Sequence, residues 1–260
     1  AQDFAHGALA PHPTTPGLAR RRALVLLGTL ALTLLAAALL AEGLAADGWH
    51  WPDVLAIPVF LLLFARLALA ACSTLAGWLH RALPPAPPGP LHTRTALLLP
   101  LHNEDTAMVF ATAEATREAL EAAGLAAHFD LFLLSDSTDP ACQVREAEAA
   151  ERLRAIHPEG VFYRRRRDNA GKKAGNVADW VRRHGAAYDH FVILDADSVM
   201  APATLHALAA AMQADARAGL IQTLPMLVAG RTRFARMQQW AARAHGPAIA
   251  RGLAAWQGEA

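Results

Sequence analysis

Phe191-Val192-Ile193-Leu194-Asp195-Ala196-Asp197 decides the fold. The apolar run reads as a buried strand of an α/β sheet. Two carboxylates one residue apart close it, and side chains at i and i+2 of an extended segment point the same way. Open α/β sheets bind ligands outside the carboxyl ends of their strands. Mg²⁺ and Mn²⁺ prefer carboxylate oxygens and share their shell with substrate phosphates, so Asp195 and Asp197 suit a metal-bound diphosphate. An acidic strand end is also a common helix cap or solvated turn, so the pair needs companions.

Three stand upstream. Ala96-Leu97-Leu98-Leu99-Pro100-Leu101-His102-Asn103-Glu104 is apolar until its end, where a turn presents imidazole, amide and carboxylate before a helical stretch. Phe129-Asp130-Leu131-Phe132-Leu133-Leu134-Ser135-Asp136 is a second apolar run ending in a carboxylate. Lys172-Lys173-Ala174-Gly175-Asn176 is a cationic glycine turn opening a helix, suited to phosphate oxygens through charge and backbone N–H groups. Each alone is equally a turn, a cap or a basic loop; their order and spacing carry the weight. Strands are predicted over 95–99, 129–134, 160–163, 190–194 and 219–223, and helices over 106–123, 142–156, 174–184 and 201–213. That alternation marks a mainly parallel sheet with the motif residues along one rim.

Of 260 residues, 54% are hydrophobic and the net charge is +1, so nothing points to a nucleic-acid partner. Residues 23–41 are uncharged and long enough to cross a bilayer as a helix, directly after Arg20-Arg21-Arg22. Residues 54–79 form a second span, interrupted by Arg66. A mid-membrane Arg costs roughly 2.5–3.5 kcal/mol, while each Leu, Ile, Phe or Val returns about 0.3–0.6, so the span stands. Arg66 is expected to face a neighbouring helix or to snorkel. The connection between the spans carries Glu42, Asp47 and Asp53 and no Lys or Arg, whereas Arg20 to Arg22, Arg81 and Arg94 flank the pair. This asymmetry places both ends of the hairpin in the cytoplasm, as an anchor and not a cleaved signal. The expected organisation is a disordered cytoplasmic tail (1–19), a transmembrane hairpin (20–82), a Pro-rich linker (83–93) whose run at 83–90 is a stiff spacer, and a sheet domain (94–260). Cys72 and Cys142 have no spacing suited to a disulfide or zinc.

Pro100-x-x-Asn103-Glu104, Ser135-Asp136, Lys173-Ala174-Gly175-Asn176 and Asp195-Ala196-Asp197, in this order, resemble the inverting nucleotide-sugar glycosyltransferases of the GT-A fold, family 2, which include cellulose and hyaluronan synthases. Longer stretches (134–140, 162–167, 194–200, 221–223 and 235–240) resemble the membrane glucosyltransferases that build the glucose backbone of osmoregulated periplasmic glucans. The resemblance runs from about residue 94 to the C-terminus. It implies a GT-A domain after two transmembrane helices, in a multi-pass protein of the bacterial inner membrane with its catalytic domain in the cytoplasm. It further implies glucosyl transfer from UDP-glucose to a growing glucan, with the bilayer and a periplasmic glucan-processing protein as partners. By the same resemblance Asp136 holds the uridine, with Asn103 and Glu104 nearby. His102 stands where relatives carry an aromatic residue beside the base. Lys173, with Gly175 and Asn176, meets the phosphates. Asp195 contacts the nucleotide-sugar, and Asp197 is a ligand of Mg²⁺ or Mn²⁺, which neutralises the leaving diphosphate as a Lewis acid.

Several elements stay open. Arg164-Arg165-Arg166-Arg167 either attracts an anionic donor or lipid, or is a solvated edge with at most one inward guanidinium. Gln222-Thr223 lines a donor or acceptor pocket or is a buried strand end. Phe234, Met237 and Trp240 recur at helical spacing among Arg233, Arg236, Arg243 and Arg251, which reads first as an interfacial helix and otherwise as a core helix. Gly246-Pro247 is expected to kink or split it. The resemblance also implies a second acidic motif supplying the general base and a Gln/Arg-x-x-Arg-Trp acceptor motif. Neither is found, so the base is expected beyond Ala260 and the chain is expected to be an N-terminal fragment. Competing functions are a polyprenyl-phosphate glycosyltransferase and an inactive UDP-sugar-binding membrane module.

Overall fold

β1 (Thr95–Leu101) is buried from end to end and lies inside a four-stranded parallel sheet ordered β3-β2-β1-β4. Its neighbours are β2 (Phe129–Ser135) and β4 (His190–Ile193), and β3 (Val161–Arg165) closes the far edge. The structure is a computed structural model that describes residues 16–80, 88–215 and 218–258. These fall into two units, one over 88–221 and the other made of 16–80 with 222–258.

In the first unit, β1 and β2 are apolar throughout because both faces of the sheet are covered. Leu97, Leu99, Leu101, Leu131 and Leu133 face one way, packing with Val109, Phe110, Leu153 and Leu205. Ala96, Leu98, Phe132 and Leu134 face the other way, packing on Trp180, whose ring meets Phe132 edge-on at 5.1 Å. The helices begin where the side chains cap them. α3 (Thr106–Ala122) starts at Asp105 and α4 (Pro140–Ile156) at Asp139, each carboxylate accepting from backbone N–H groups of the first turn. Pro140 adds the φ that a first turn requires. α5 (Lys172–His184) and α6 (Pro202–Ala214) complete the alternation. Register decides where the loops go: Leu101 pairs with Ser135 and Ser135 with Arg165, so the segments leaving β1, β2 and β3 emerge side by side.

Four predicted strands and all four predicted helices of this unit form within two residues of their expected bounds. The strand expected at 219–223 does not form, and Leu220 is exposed. Among the described residues the segment pairs with no strand, and β4 remains the edge of the sheet. Part of the linker is pinned: Gln213 Nε2 donates to the Pro90 carbonyl at 3.2 Å, and His92 N–H donates to Gln213 Oε1 at 2.8 Å. Residues 83–87 of the expected linker, 81–82 of the expected hairpin and 1–15 of the expected tail lie outside the described residues.

The second unit contains α1 (Leu18–Asp47) and α2 (Trp51–Leu79), both long and apolar enough to cross a membrane, with most of their leucines exposed. Arg66 is exposed, so it packs against no helix among the described residues. α7 (Arg233–Gln257) belongs to this unit, so the domain expected over 94–260 divides near residue 221. The reason is a close helix crossing on small residues. A Cβ on Gly77 would lie 1.8 Å from the Ala248 carbonyl oxygen, and one on Gly252 would lie 1.7 Å from that of Ser73. Trp256 Nε1 donates to Ser73 Oγ at 3.1 Å. The Arg22 guanidinium donates to the carbonyls of Trp256 and Gln257, satisfying orphan acceptors in the last turn. The helix runs unbroken through Pro247; Gly246, lacking Cβ, removes one clash that a residue before proline normally suffers.

Candidate functional site

The segments leaving β1 and β2 meet the N-terminal end of α5 around a cavity of about 280 Å³. His102 and Glu104 line it from the first, Asp136 from the second, and Lys172, Lys173 and Asn176 from α5, with Asn169 just before it. Five expected site residues from three separate parts of the chain thus converge.

Asp136 is buried, and Arg166 holds both of its oxygens: Nε donates to Oδ1 at 2.8 Å and Nη2 to Oδ2 at 2.7 Å. The bidentate fork fixes the carboxylate plane, and the hydrogen bonds that Arg166 donates to Asp136 raise its pKa above the ordinary value. His102 Nδ1 lies 3.0 Å from the Asp136 carbonyl oxygen; a proton on Nδ1 serves that bond and leaves Nε2 as an acceptor. Asn169 Oδ1 is buried with no hydrogen-bond partner among the described residues, an acceptor at the cavity wall.

The start of α5 is built for close approach. Its N-cap, Gly171, has φ 69°; the Lys172 N–H donates to the Asn169 carbonyl at 3.1 Å, and no side chain caps the N–H groups of Lys173 and Ala174 at the positive end of the helix dipole. A Cβ on Gly175 would lie 2.0 Å from the Ala170 carbonyl oxygen; this glycine lets the preceding turn pack on the helix. Lys173 Nζ forms an ion pair with Asp195 Oδ1.

Asp195 and Asp197 follow the end of β4, in a turn closed by Ser198 N–H donating to the Asp195 carbonyl at 3.0 Å. Both are exposed and neither lines the cavity; Lys173 connects Asp195 to it. No group of three or more His, Cys, Asp or Glu suited to a metal ion occurs among the described residues. A hard oxygen pair of this kind fits Mg²⁺, which takes one or two carboxylates and completes its shell with water and substrate phosphate.

Asn103 and Asn176 differ from expectation, because their amides are committed to the protein. Asn103 Oδ1 accepts from the N–H groups of Thr138 and Asp139 at 3.0 and 3.1 Å, and Nδ2 donates to Thr138 Oγ1 at 3.0 Å. Asn176 is fully buried, donates to the Leu134 carbonyl at 2.8 Å, and accepts from Arg164. The arginine run is also no solvated edge. Arg164 bonds Asp179 and Asn176 while Arg166 holds Asp136, as i and i+2 residues leaving one strand end turn inward together. Burial lowers the Arg164 pKa against the opposing pull of Asp179.

Sequence reasoning missed Asn169, the specific part of Arg166, and the buried Glu146 of α4. The i, i+2 alternation at the end of β3 was the available signal for Arg166. For Glu146 it was the company of Cys142, Ala149, Ala150 and Leu153 on the buried face of α4. Glu146 accepts from Tyr163 OH at 3.1 Å, and burial pushes the Tyr163 phenol up to about 12.

Comparison with known proteins now bears on this geometry. The family model described as Glycosyl transferase family 21 matches residues 127–253, a number other than the family 2 implied by the motifs. The chain is 45% identical over 247 residues to glucans biosynthesis glucosyltransferase H of Rhodopseudomonas palustris strain BisA53, covering 92% of this chain and 35% of the relative. It is 44% identical over 257 residues to the protein of that name from Xanthomonas campestris pv. campestris strain B100, covering 94% of this chain and 40% of the relative. The chain therefore spans between a third and two-fifths of the length of these curated relatives.

Proposed function

The chain belongs to the glucans biosynthesis glucosyltransferase H family, and from that membership we propose that residues 88–221 bind the sugar donor UDP-glucose for transfer to a growing glucan. One observation carries the reading: His102, Glu104, Asp136 and Lys173, from three parts of the chain, share one cavity beside an uncapped helix N-terminus. In the proposed site Asp136, held in plane by Arg166, accepts from the nucleoside, and His102 offers its imidazole beside the base. The diphosphate meets Lys173 and the open N–H groups of α5. Asp195 and Asp197 would hold Mg²⁺ or Mn²⁺, which supplies Lewis-acid neutralisation of the diphosphate leaving group. No base for the acceptor hydroxyl is assigned among the described residues.

On the same footing, α1 and α2 cross the bacterial inner membrane, residues 42–53 face the periplasm and residues 88–221 lie in the cytoplasm. The product is the glucose backbone of osmoregulated periplasmic glucans, with a periplasmic glucan-processing protein as partner. The positive charge of Arg20 to Arg22 in the first turns of α1 and the acidic Glu42, Asp47 and Asp53 around the turn between the helices support this topology.

Calorimetry of UDP-glucose with EDTA and then with added Mg²⁺ tests the donor site. Affinity should rise with the metal, and Asp197→Asn should remove that rise. Equal affinity in both conditions would remove the metal from the site. In the full-length protein that carries this segment, radiolabelled glucose should pass from UDP-glucose into glucan; label found in lipid would make that protein a polyprenyl-phosphate glycosyltransferase, and label retained in UDP-glucose would leave a binding module.

A further inference from the structure

We propose that Glu146, which does not line the cavity of His102 and Asp136, is a positioning residue that fixes the Ser135-Asp136-Ser137 turn and, through it, the loop carrying His102 and Glu104. The proposal rests on the reading of Asp136 as the nucleoside residue.

Glu146 is 2% exposed, and its carboxylate gathers four donors. Ser135 Oγ donates to Oε2 at 2.5 Å and Ser137 Oγ donates to Oε1 at 2.6 Å. Tyr163 OH donates at 3.1 Å and Cys142 Sγ at 3.5 Å. A buried carboxylate served by hydroxyls and a thiol is a costly way to fill a core. What it achieves is geometric. The two serines flank Asp136; anchoring both on one side sends the intervening side chain to the opposite side, where Arg166 and the cavity lie.

The anchor reaches further through Ser137. While its hydroxyl donates to Glu146, it accepts from the Asn103 N–H at 2.9 Å. Asn103 has φ 61°, a left-handed conformation that a non-glycine residue keeps only when its surroundings hold it. Asp136 N–H donates to the Leu101 carbonyl at 2.8 Å, and His102 Nδ1 meets the Asp136 carbonyl. One carboxylate on α4 therefore sets the relative placement of imidazole and carboxylate at the cavity without lining it.

The test compares the full chain with Glu146→Gln, Ser137→Ala and Ser137→Thr, all in detergent micelles. Glutamine keeps the volume but replaces one acceptor oxygen with a donor. Backbone hydrogen exchange in 101–105 and 135–139 should accelerate about tenfold or more in Glu146→Gln, with α6 and the far end of the sheet unchanged. Uridine affinity should fall roughly tenfold, while pyrophosphate affinity stays as in the parent chain. Ser137→Ala should reproduce the exchange in 101–105, and Ser137→Thr, which retains the hydroxyl, should restore protection. If Glu146→Gln does not fold, the two Ser137 variants decide through the same link. Uniform acceleration over the whole unit, or equal loss of uridine and pyrophosphate binding, would reduce Glu146 to a packing residue and overturn the proposal. Unchanged exchange and uridine affinity would do the same. A parent chain that binds no uridine would refute the donor reading itself, an outcome separate from variants that bind uridine as the parent does.

Discussion

Replacing Lys173 with Met should move two affinities in opposite directions. In the ligand-free chain, Lys173 Nζ is paired with Asp195 Oδ1, but the lysine side chain is 51% exposed and the carboxylate 67%. An exposed pair of this kind is worth at most about 1 kcal/mol, and salt screens it. Removing the ammonium therefore frees Asp195 for a cation with a gain of no more than about fivefold in Mn²⁺ affinity. With the diphosphate bound, the same ammonium makes a charge-assisted contact worth about 1.5–3 kcal/mol. UDP affinity at saturating Mn²⁺ should thus fall roughly ten- to a hundredfold, while Met preserves much of the apolar stem. Electron paramagnetic resonance of free Mn²⁺ reads the first quantity without nucleotide, and calorimetry reads the second. Raising the salt should shrink the Mn²⁺ gain, since screening has already weakened the pair. A fall in both affinities, or an unchanged UDP affinity, would refute the assignment of Lys173 as a cation shared between Asp195 and phosphate.

Gly252→Val should open the crossing of α2 and α7, because its Cβ would lie 1.7 Å from the Ser73 carbonyl oxygen; overpacking of this kind costs about 1–3 kcal/mol, read as a lower melting temperature and faster proteolysis within 233–257. Asp179 has a pH signature: burial opposes its charge, but the Arg183 and Arg164 guanidiniums outweigh burial and hold it below the usual carboxylate range. A depressed folded pKa stabilises fully above the unfolded value of about 3.9 and is lost as pH falls from there through the folded value. Asp179→Asn should therefore lower stability at neutral pH and flatten the decline below about pH 4 in acid unfolding; an unchanged acid limb would count against it. Single cysteines at Gly48 or Glu118, with Cys72 and Cys142 replaced, test topology with an impermeant thiol reagent in intact cells. Both positions are exposed, only Gly48→Cys should react, and reaction of Glu118→Cys alone would invert the hairpin.

Much of the fold was legible because burial on both faces leaves continuous apolar runs, as in Leu97-Leu98-Leu99 and Leu131-Phe132-Leu133-Leu134. The grouping of α7 with α1 and α2 was not. Gly77 and Gly252 read only as weak helix formers until a second backbone is known to pass against them. The run at 219–223 failed as well: its Leu-Ile-Gln-Thr composition suits a strand, but strand formation also requires pairing, and the segment does not add to the edge at β4. In the site, chemistry predicted which residues would assemble better than which way each would face. Glu104 and Lys173 line the cavity, whereas Asn103, adjacent to the first, is bonded away from it.

Asn176 shows why that distinction escapes sequence. Lys173 and Asn176 are three residues apart on one face of α5, and sequence alone assigns both to the ligand. The lysine side chain is half exposed and, among the described residues, paired only with Asp195, while the amide is fully buried between the Leu134 carbonyl of β2 and the guanidinium of Arg164 on β3. That clamp fixes the first turn of α5 against the two strands that supply Asp136 and Arg166. Lys-Ala-Gly-Asn thus divides its labour: lysine provides the charge, glycine the close approach, and asparagine the fixed distance between that charge and the strand ends. An Asn176→Ala chain should accordingly lose stability and placement together. Lys173→Met should leave the fold intact and lose only the anion.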